Sequence, residues 1–178
     1  MTNFRNEFEE LLTGGHPNSL GNTIPVVETV LANPGRFPEL FDCYFSEDEI
    51  VRLRVSNAMK RVFKGNESLL EPYWDRFLNE ISQIDQASTQ WTLATLFAWG
   101  KAYLNADQKK QATEIMKRNV AEHNDWIVLN NTMETLTYWA EDNAALKQWL
   151  KPHLERHQKD TRKSVAKRAT KFWDRLYG

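Results

Sequence analysis

The chain has one cysteine in 178 residues, Cys43, which excludes an internal disulfide and any structural zinc site built on cysteine. Such thiol usage points to a reducing, cytosolic compartment. Glycine and proline are scarce, at seven and six, and they are read as falling between periodic segments rather than inside them. That favours long helices over a turn-rich β fold. Long apolar runs are missing too, because charge interrupts every stretch within a few residues, so no membrane span is expected. The opening residues Met1 to Glu7 carry acid where a signal peptide needs base, and no apolar segment follows them.

What is present is 41% apolar and 26% charged residue, a globular composition for one ordinary domain over residues 1–178. The net charge of −1 hides a division. Residues 1–50 hold nine acids and two bases, a net −7, whereas residues 147–178 hold ten bases and three acids, a net +7. An acidic head and a basic tail on one small chain make a dipole.

Apolar spacing and stop signals predict a run of helices. The first covers Asn3 to Leu12 and ends at Gly14-Gly15; the second covers Thr23 to Leu31 with Pro25 in its first turn. A short segment, Phe37 to Phe45, leads into Ser46-Glu47-Asp48-Glu49, read as a capping box opening a helix to Lys64. Three pairs follow: Leu69–Ile84 with Ser88–Leu104, Asp107–Glu122 with Asp125–Glu141, and Asn143–His157 with Thr161–Tyr177. The joints are two to five residues of Asn, Asp, Gln or Gly, suited to antiparallel helical hairpins.

The second helices repeat one template. Val51, Val55, Ala58, Met59 and Val62 lie at i, i+4, i+7, i+8 and i+11. The same spacing lands on Thr89, Leu93, Leu96, Phe97 and Gly100, then on Val128, Thr132, Thr135, Leu136 and Trp139, and last on Val165, Ala169, Phe172, Trp173 and Leu176. Successive offsets are 38, 39 and 37 residues. Fixed-period similarity of this kind predicts stacked hairpins sharing one core. The terminal helix has the polar outer face that an end cap needs, with Lys163, Lys167 and Lys171 opposite Val165, Ala169 and Phe172. Phe4, Phe8, Leu11 and Leu12 are expected to cap the other end.

A two-helix repeat of this length, with acid at the start of the second helix and Val-Arg one turn in, resembles the HEAT repeat. Asp48-Glu49-Ile50-Val51-Arg52, followed by Val55, Ala58 and Met59, is the best copy. The resemblance covers residues 36–177 and extends to small bacterial HEAT-repeat proteins with segments similar to Val30–Phe37, Phe45–Arg52 and Ile84–Gln86. It implies an all-α, right-handed solenoid of about four hairpins: cap helices at 1–35, repeats at 36–142, and a last repeat with its cap at 143–178. Val-Arg drifts to Thr89-Gln90, Val128-Leu129 and Val165-Ala166, so a ladder of Asp–Arg contacts is not expected past the first copy.

Candidate chemistry is thin. His153 and His157 share a helix face, but no third ligand stands near, so no metal is expected. Cys43 sits among Phe41–Phe45, where burial raises a thiol's pKa. Lys64-Gly65-Asn66 lacks the rest of a phosphate loop. HEAT-like alkylpurine DNA glycosylases place a catalytic Asp one turn after a Trp, whereas Trp91 and Trp126 are followed at that position by Thr95 and Asn130. No cofactor is expected. Of seven tryptophans, Trp74, Trp139 and Trp173 fall on core stripes and Trp149 lies beside Leu146 and Leu150. Trp91 and Trp126 stand at helix starts, where exposure would make them interface anchors. The expectation is a non-enzymatic, monomeric, protein-binding scaffold using Arg52, Ser56, Trp91, Thr92, Trp126, Asn130, Asn131, Lys163 and Lys167. The alternative is a nucleic-acid-binding module that uses the basic last helix.

Overall fold

The computed structural model describes residues 6–178. The expected helix start at Asn3 and the capping role of Phe4 lie outside the described residues. Among these, every regular element is helical and no strand occurs. Ten α-helices follow one another: α1 (Glu7–Leu12), α2 (Thr23–Ala32), α3 (Phe37–Asp42), α4 (Glu49–Gly65), α5 (Trp74–Asn79), α6 (Ala87–Gly100), α7 (Ala106–Glu122), α8 (Trp126–Ala140), α9 (Ala144–His157) and α10 (Lys163–Tyr177). The chain divides into two compact units, Met1–Thr92 and Leu93–Gly178, with the boundary inside α6.

In the first unit α4 is the axis, and α1, α2 and α3 pack on it. Its stripe, Val51, Val55, Ala58, Met59 and Val62, is fully buried. Around it sits an aromatic cluster in which Phe41 meets Phe77 edge-on at 5.2 Å and Phe37 meets Tyr73 edge-on at 4.8 Å. The opening of α4 differs from the expected capping box. Asp48 is the N-cap and accepts from the Ile50 amide at 2.8 Å, while the Ser46 hydroxyl accepts from the Asp48 amide at 3.1 Å. Two overlapping side-chain turns thus do the work assigned to one.

The expected helix Leu69–Ile84 is broken. It resolves into 3₁₀ turns at Glu67–Leu69 and Glu71–Tyr73, the short α5, and a further 3₁₀ turn at Ile81–Gln83. Pro72 lies in the second of these turns, at a helix-starting position that admits no preceding α-helical turn.

The loop before α2 is organised by a residue that apolar periodicity overlooks. Arg54 is buried, and its guanidinium donates to the carbonyls of Leu12 at 2.6 Å, Thr13 at 3.1 Å and Ser19 at 3.3 Å. Gly21 adopts a φ of +49°, and a Cβ there would stand 2.8 Å from the Arg54 Cζ. Glycine is required at that position by both its backbone and the arginine beneath it.

The second unit is more regular. Three-residue and five-residue joints return α7 to α8 and α9 to α10; α8 packs against α7, α9 and α10, and α10 packs against both α8 and α9. The stripes of α6, α8 and α10 are buried as expected, including the threonines Thr132 and Thr135. Trp173 is the exception. It is half-buried, tilted against Tyr177 at 4.6 Å with the Lys151 ammonium 5.5 Å away. Pro152 also departs from expectation, standing inside α9 on its exposed side.

Candidate binding surface

Stacking buries more of a second helix than its apolar stripe. In α8, Asn130, Thr132, Thr135 and Thr137 are buried along with Val128, Leu129, Met133 and Leu136. What is not buried is one ridge, the half-buried Ile127, Asn131 and Glu134 and the exposed Tyr138, with Trp126 exposed at the helix start. The corresponding ridge of α6 within the second unit is the half-buried Thr95 and the exposed Trp99, with Tyr103 exposed in the turn that follows. In α10 it is Lys167, Arg168, Lys171 and Arg175.

These ridges bring chemistry into register. Trp99, Tyr138 and Arg175 occupy equivalent places on successive second helices, 39 and 37 residues apart. Trp99 and Tyr138 are 39% and 41% exposed. The Arg175 guanidinium lies 4.6 Å over the Tyr138 ring and pairs with Glu141, and Arg168 pairs with Glu134 at 3.3 Å. The Thr135 hydroxyl donates to the Ala94 carbonyl at 2.9 Å, which fixes α6 beside α8. Lys163, Lys167 and Lys171 are all exposed along α10.

Of the residues singled out in the sequence, Lys163 and Lys167 are therefore placed on an open face, and Trp126 is 49% exposed. The others need correction. Asn130 is only 5% exposed, because it faces a neighbouring helix rather than solvent, and Ser56 and Thr92 are buried as well. Arg52 is half-buried and engaged: it donates to the Gln86 side chain at 2.6 Å and to the Ser46 carbonyl at 2.6 Å, tying the start of α4 to the loop before α6. Trp91 and Asn131 are half-buried. Trp99, Tyr138 and Arg175 were missed. The 38-residue register that finds the core also finds them, if it is read on the complementary stripe.

Titratable groups away from this face are structural. The Cys43 thiol is pushed up to about 12 by burial, with Glu9 adding to it. His157 is buried, with its Nε2–H donating to the Val120 carbonyl at 2.9 Å, and burial lowers its pKa. His153 stacks on Trp149 at 4.0 Å instead of facing its neighbour as a ligand. Arg156 donates to the Val120 and Ala121 carbonyls, so α9 caps the C-terminus of α7. Arg162 pairs with Asp160, holding that carboxyl down to about 2, and also reaches the Asn124 carbonyl. Among the described residues no group of three or more His, Cys, Asp or Glu gathers to hold a metal ion, and no helix is long and apolar enough to cross a membrane. Compared with protein-family models, curated proteins and solved structures, the chain matches none.

Proposed function

We propose that the chain is a HEAT-like helical-repeat module that acts by binding rather than catalysis, and that the α6–α8–α10 face takes an acidic segment of another protein carrying apolar side chains. The row Trp99, Tyr138 and Arg175 carries this reading. Trp, Tyr and Arg are the residue types that dominate interface energetics, and here they stand open on adjacent elements. The HEAT-like part rests on helices α4, α6, α8 and α10 starting at Glu49, Ala87, Trp126 and Lys163, intervals of 38, 39 and 37 residues. The charge of the partner follows from the face itself. Glu134 and Glu141 are already paired with arginines, whereas Lys163, Lys167 and Lys171 form no ion pair among the described residues, so the surface offers net positive charge to whatever binds.

Selection from a random peptide library against the full chain tests this. The expected ligands are rich in Asp and Glu with interspersed Leu, Phe or Trp, and they lose affinity for a Trp99→Ala/Tyr138→Ala/Arg175→Glu variant that keeps its helical spectrum. Ligands that bind wild type and variant alike would sink the proposal. Submicromolar, salt-sensitive binding of duplex DNA, lost on changing Lys163, Lys167 and Lys171 to Glu, would replace it with the nucleic-acid reading.

A further inference from the structure

A second feature of the C-terminal unit stands apart from that face. A cavity of about 510 Å³ lies among the end of α6, one side of α7, the end of α8 and the start of α9. Its size falls in the range of small-molecule sites and exceeds what a single inorganic ion fills. Four lysines line it: Lys101, Lys109, Lys110 and Lys117. Lys109 and Lys117 lie on one ridge of α7, eight residues apart, and Lys101 arrives from the turn after α6. Two carboxylates, Glu114 and Asp142, also border the space. Glu114 is already taken by Lys117 at 2.9 Å, while Lys101, Lys109 and Lys110 form no ion pair among the described residues.

Like charges gathered around one concavity repel one another unless an anion joins them. Three unpaired ammoniums call for a ligand with more than one negative charge. The floor adds a second preference. Trp139 borders the cavity, nearly buried, with the Lys101 ammonium 5.6 Å from its ring centroid, so an aromatic side chain stands beside the cations. The first turns of α7 and α9 border the same space and contribute positive potential of the same sign. We infer that this cavity binds a small organic molecule bearing a chain of two or more phosphate groups, with the phosphates on Lys101, Lys109 and Lys110 and the organic part against Trp139. Lysines serve such a group as mobile point charges, which suits a flexible phosphate chain.

Calorimetric titration of the full chain at low salt with orthophosphate, tripolyphosphate and ATP tests the inference. Tripolyphosphate and ATP should bind saturably with ATP the tighter, and orthophosphate should bind at least about tenfold more weakly than either. A Lys109→Glu/Lys110→Glu variant should weaken ATP by at least about tenfold, the size of one charge-assisted contact. A Lys110→Ala variant, at an exposed position that the fold tolerates, should show a smaller loss in the same direction. Lys163→Glu/Lys167→Glu on α10 should leave ATP binding unchanged. Absence of saturable binding, equal affinity for all three anions, or loss in the α10 variant with none in the α7 variants would each overturn it.

Discussion

The two units bury their cores by different means. Among its described residues the N-terminal unit builds on one long helix, α4, and surrounds it with helices as short as six residues, 3₁₀ turns and a glycine-bearing loop. Short elements expose many backbone ends; Arg54 satisfies three of their carbonyls under the loop, while the large aromatics Phe8, Phe37, Phe41 and Phe77 supply buried apolar area in the core. The C-terminal unit uses four helices of 14 to 17 residues from α7 to α10. Their ends are tied from hairpin to hairpin by Arg156, His157 and Arg162 reaching carbonyls 35 to 38 residues back. One unit is held by a plug, and in the other the last hairpin is tied to the one before it. The candidate surface lies on the regular outer face of this second unit.

Core deletions give the largest effects and should strike both units alike. Phe41→Ala and Phe97→Ala remove fully buried rings, so each should cost about 3–5 kcal/mol in urea unfolding. Trp173→Ala should cost clearly less, because its ring is half-buried. A loss for Trp173 equal to that for Phe97 would restore it to the core. Next comes the plug. Arg54→Leu leaves three carbonyls without their donor and should cost about 2–4 kcal/mol. Gly21→Ala, which forces a Cβ against the same guanidinium from a left-handed backbone, should cost about 1–3 kcal/mol. If Arg54→Leu proves neutral, the contrast between plug and tie fails.

The sequence was most informative where burial follows one helical stripe. Val51 through Val62, Leu93 through Phe97 and Val165 through Phe172 are all buried as their spacing requires. It was least informative where a helix is flanked on three sides. Asn130 and Thr92 look like surface residues by polarity, yet neighbouring helices cover them, and periodicity measured against a single core cannot register that. The irregular run from Glu67 to Gln83 was hidden for a related reason: 3₁₀ turns and α-turns place apolar residues at nearly the same three- and four-residue spacing. Arg54 and Gly21 belong to a contact across 33 positions of chain, and nothing local marks it.

A smaller effect should separate the units by pH. His157 belongs to the tie, is held neutral by burial, and has Arg156, Asp160 and Arg162 around it. Its folded pKa lies below the unfolded value of about 6.5, so below that pH the unfolded chain binds the extra proton. Stability from this site is complete above the unfolded value and falls as pH drops toward the folded one. His157→Gln, whose amide still donates to the Val120 carbonyl, should therefore lose less stability than wild type between pH 7.5 and 5.5. Carboxylate titration acts on both proteins and cancels in the difference. Identical pH dependence would mean that His157 is solvated in its charged form and that the tie is looser than its geometry indicates.

The smallest stability effect should come from the surface with the largest proposed consequence. Trp99→Ala and Tyr138→Ala alter exposed rings on well-packed helices, so each should change unfolding free energy by less than about 1 kcal/mol. That outcome discriminates because α6 and α8 are otherwise so thoroughly covered. An aromatic ring that contributes little to the fold of a helix whose other faces are buried is in place for something outside the helix. Should either substitution cost as much as Phe97→Ala, the ring would be part of the packing between hairpins, and the row from Trp99 to Arg175 would be a seam instead of a docking face. With stability intact, the peptide-binding comparison reads the surface alone. Arg175 then sharpens the result, since it lies over Tyr138 and pairs with Glu141. Replacing it by Lys keeps the charge but gives up the planar stacking, so a protein partner that needs the ordered arginine–tyrosine pair should bind more weakly to Arg175→Lys, whereas a polyanion that senses charge only should not distinguish the two.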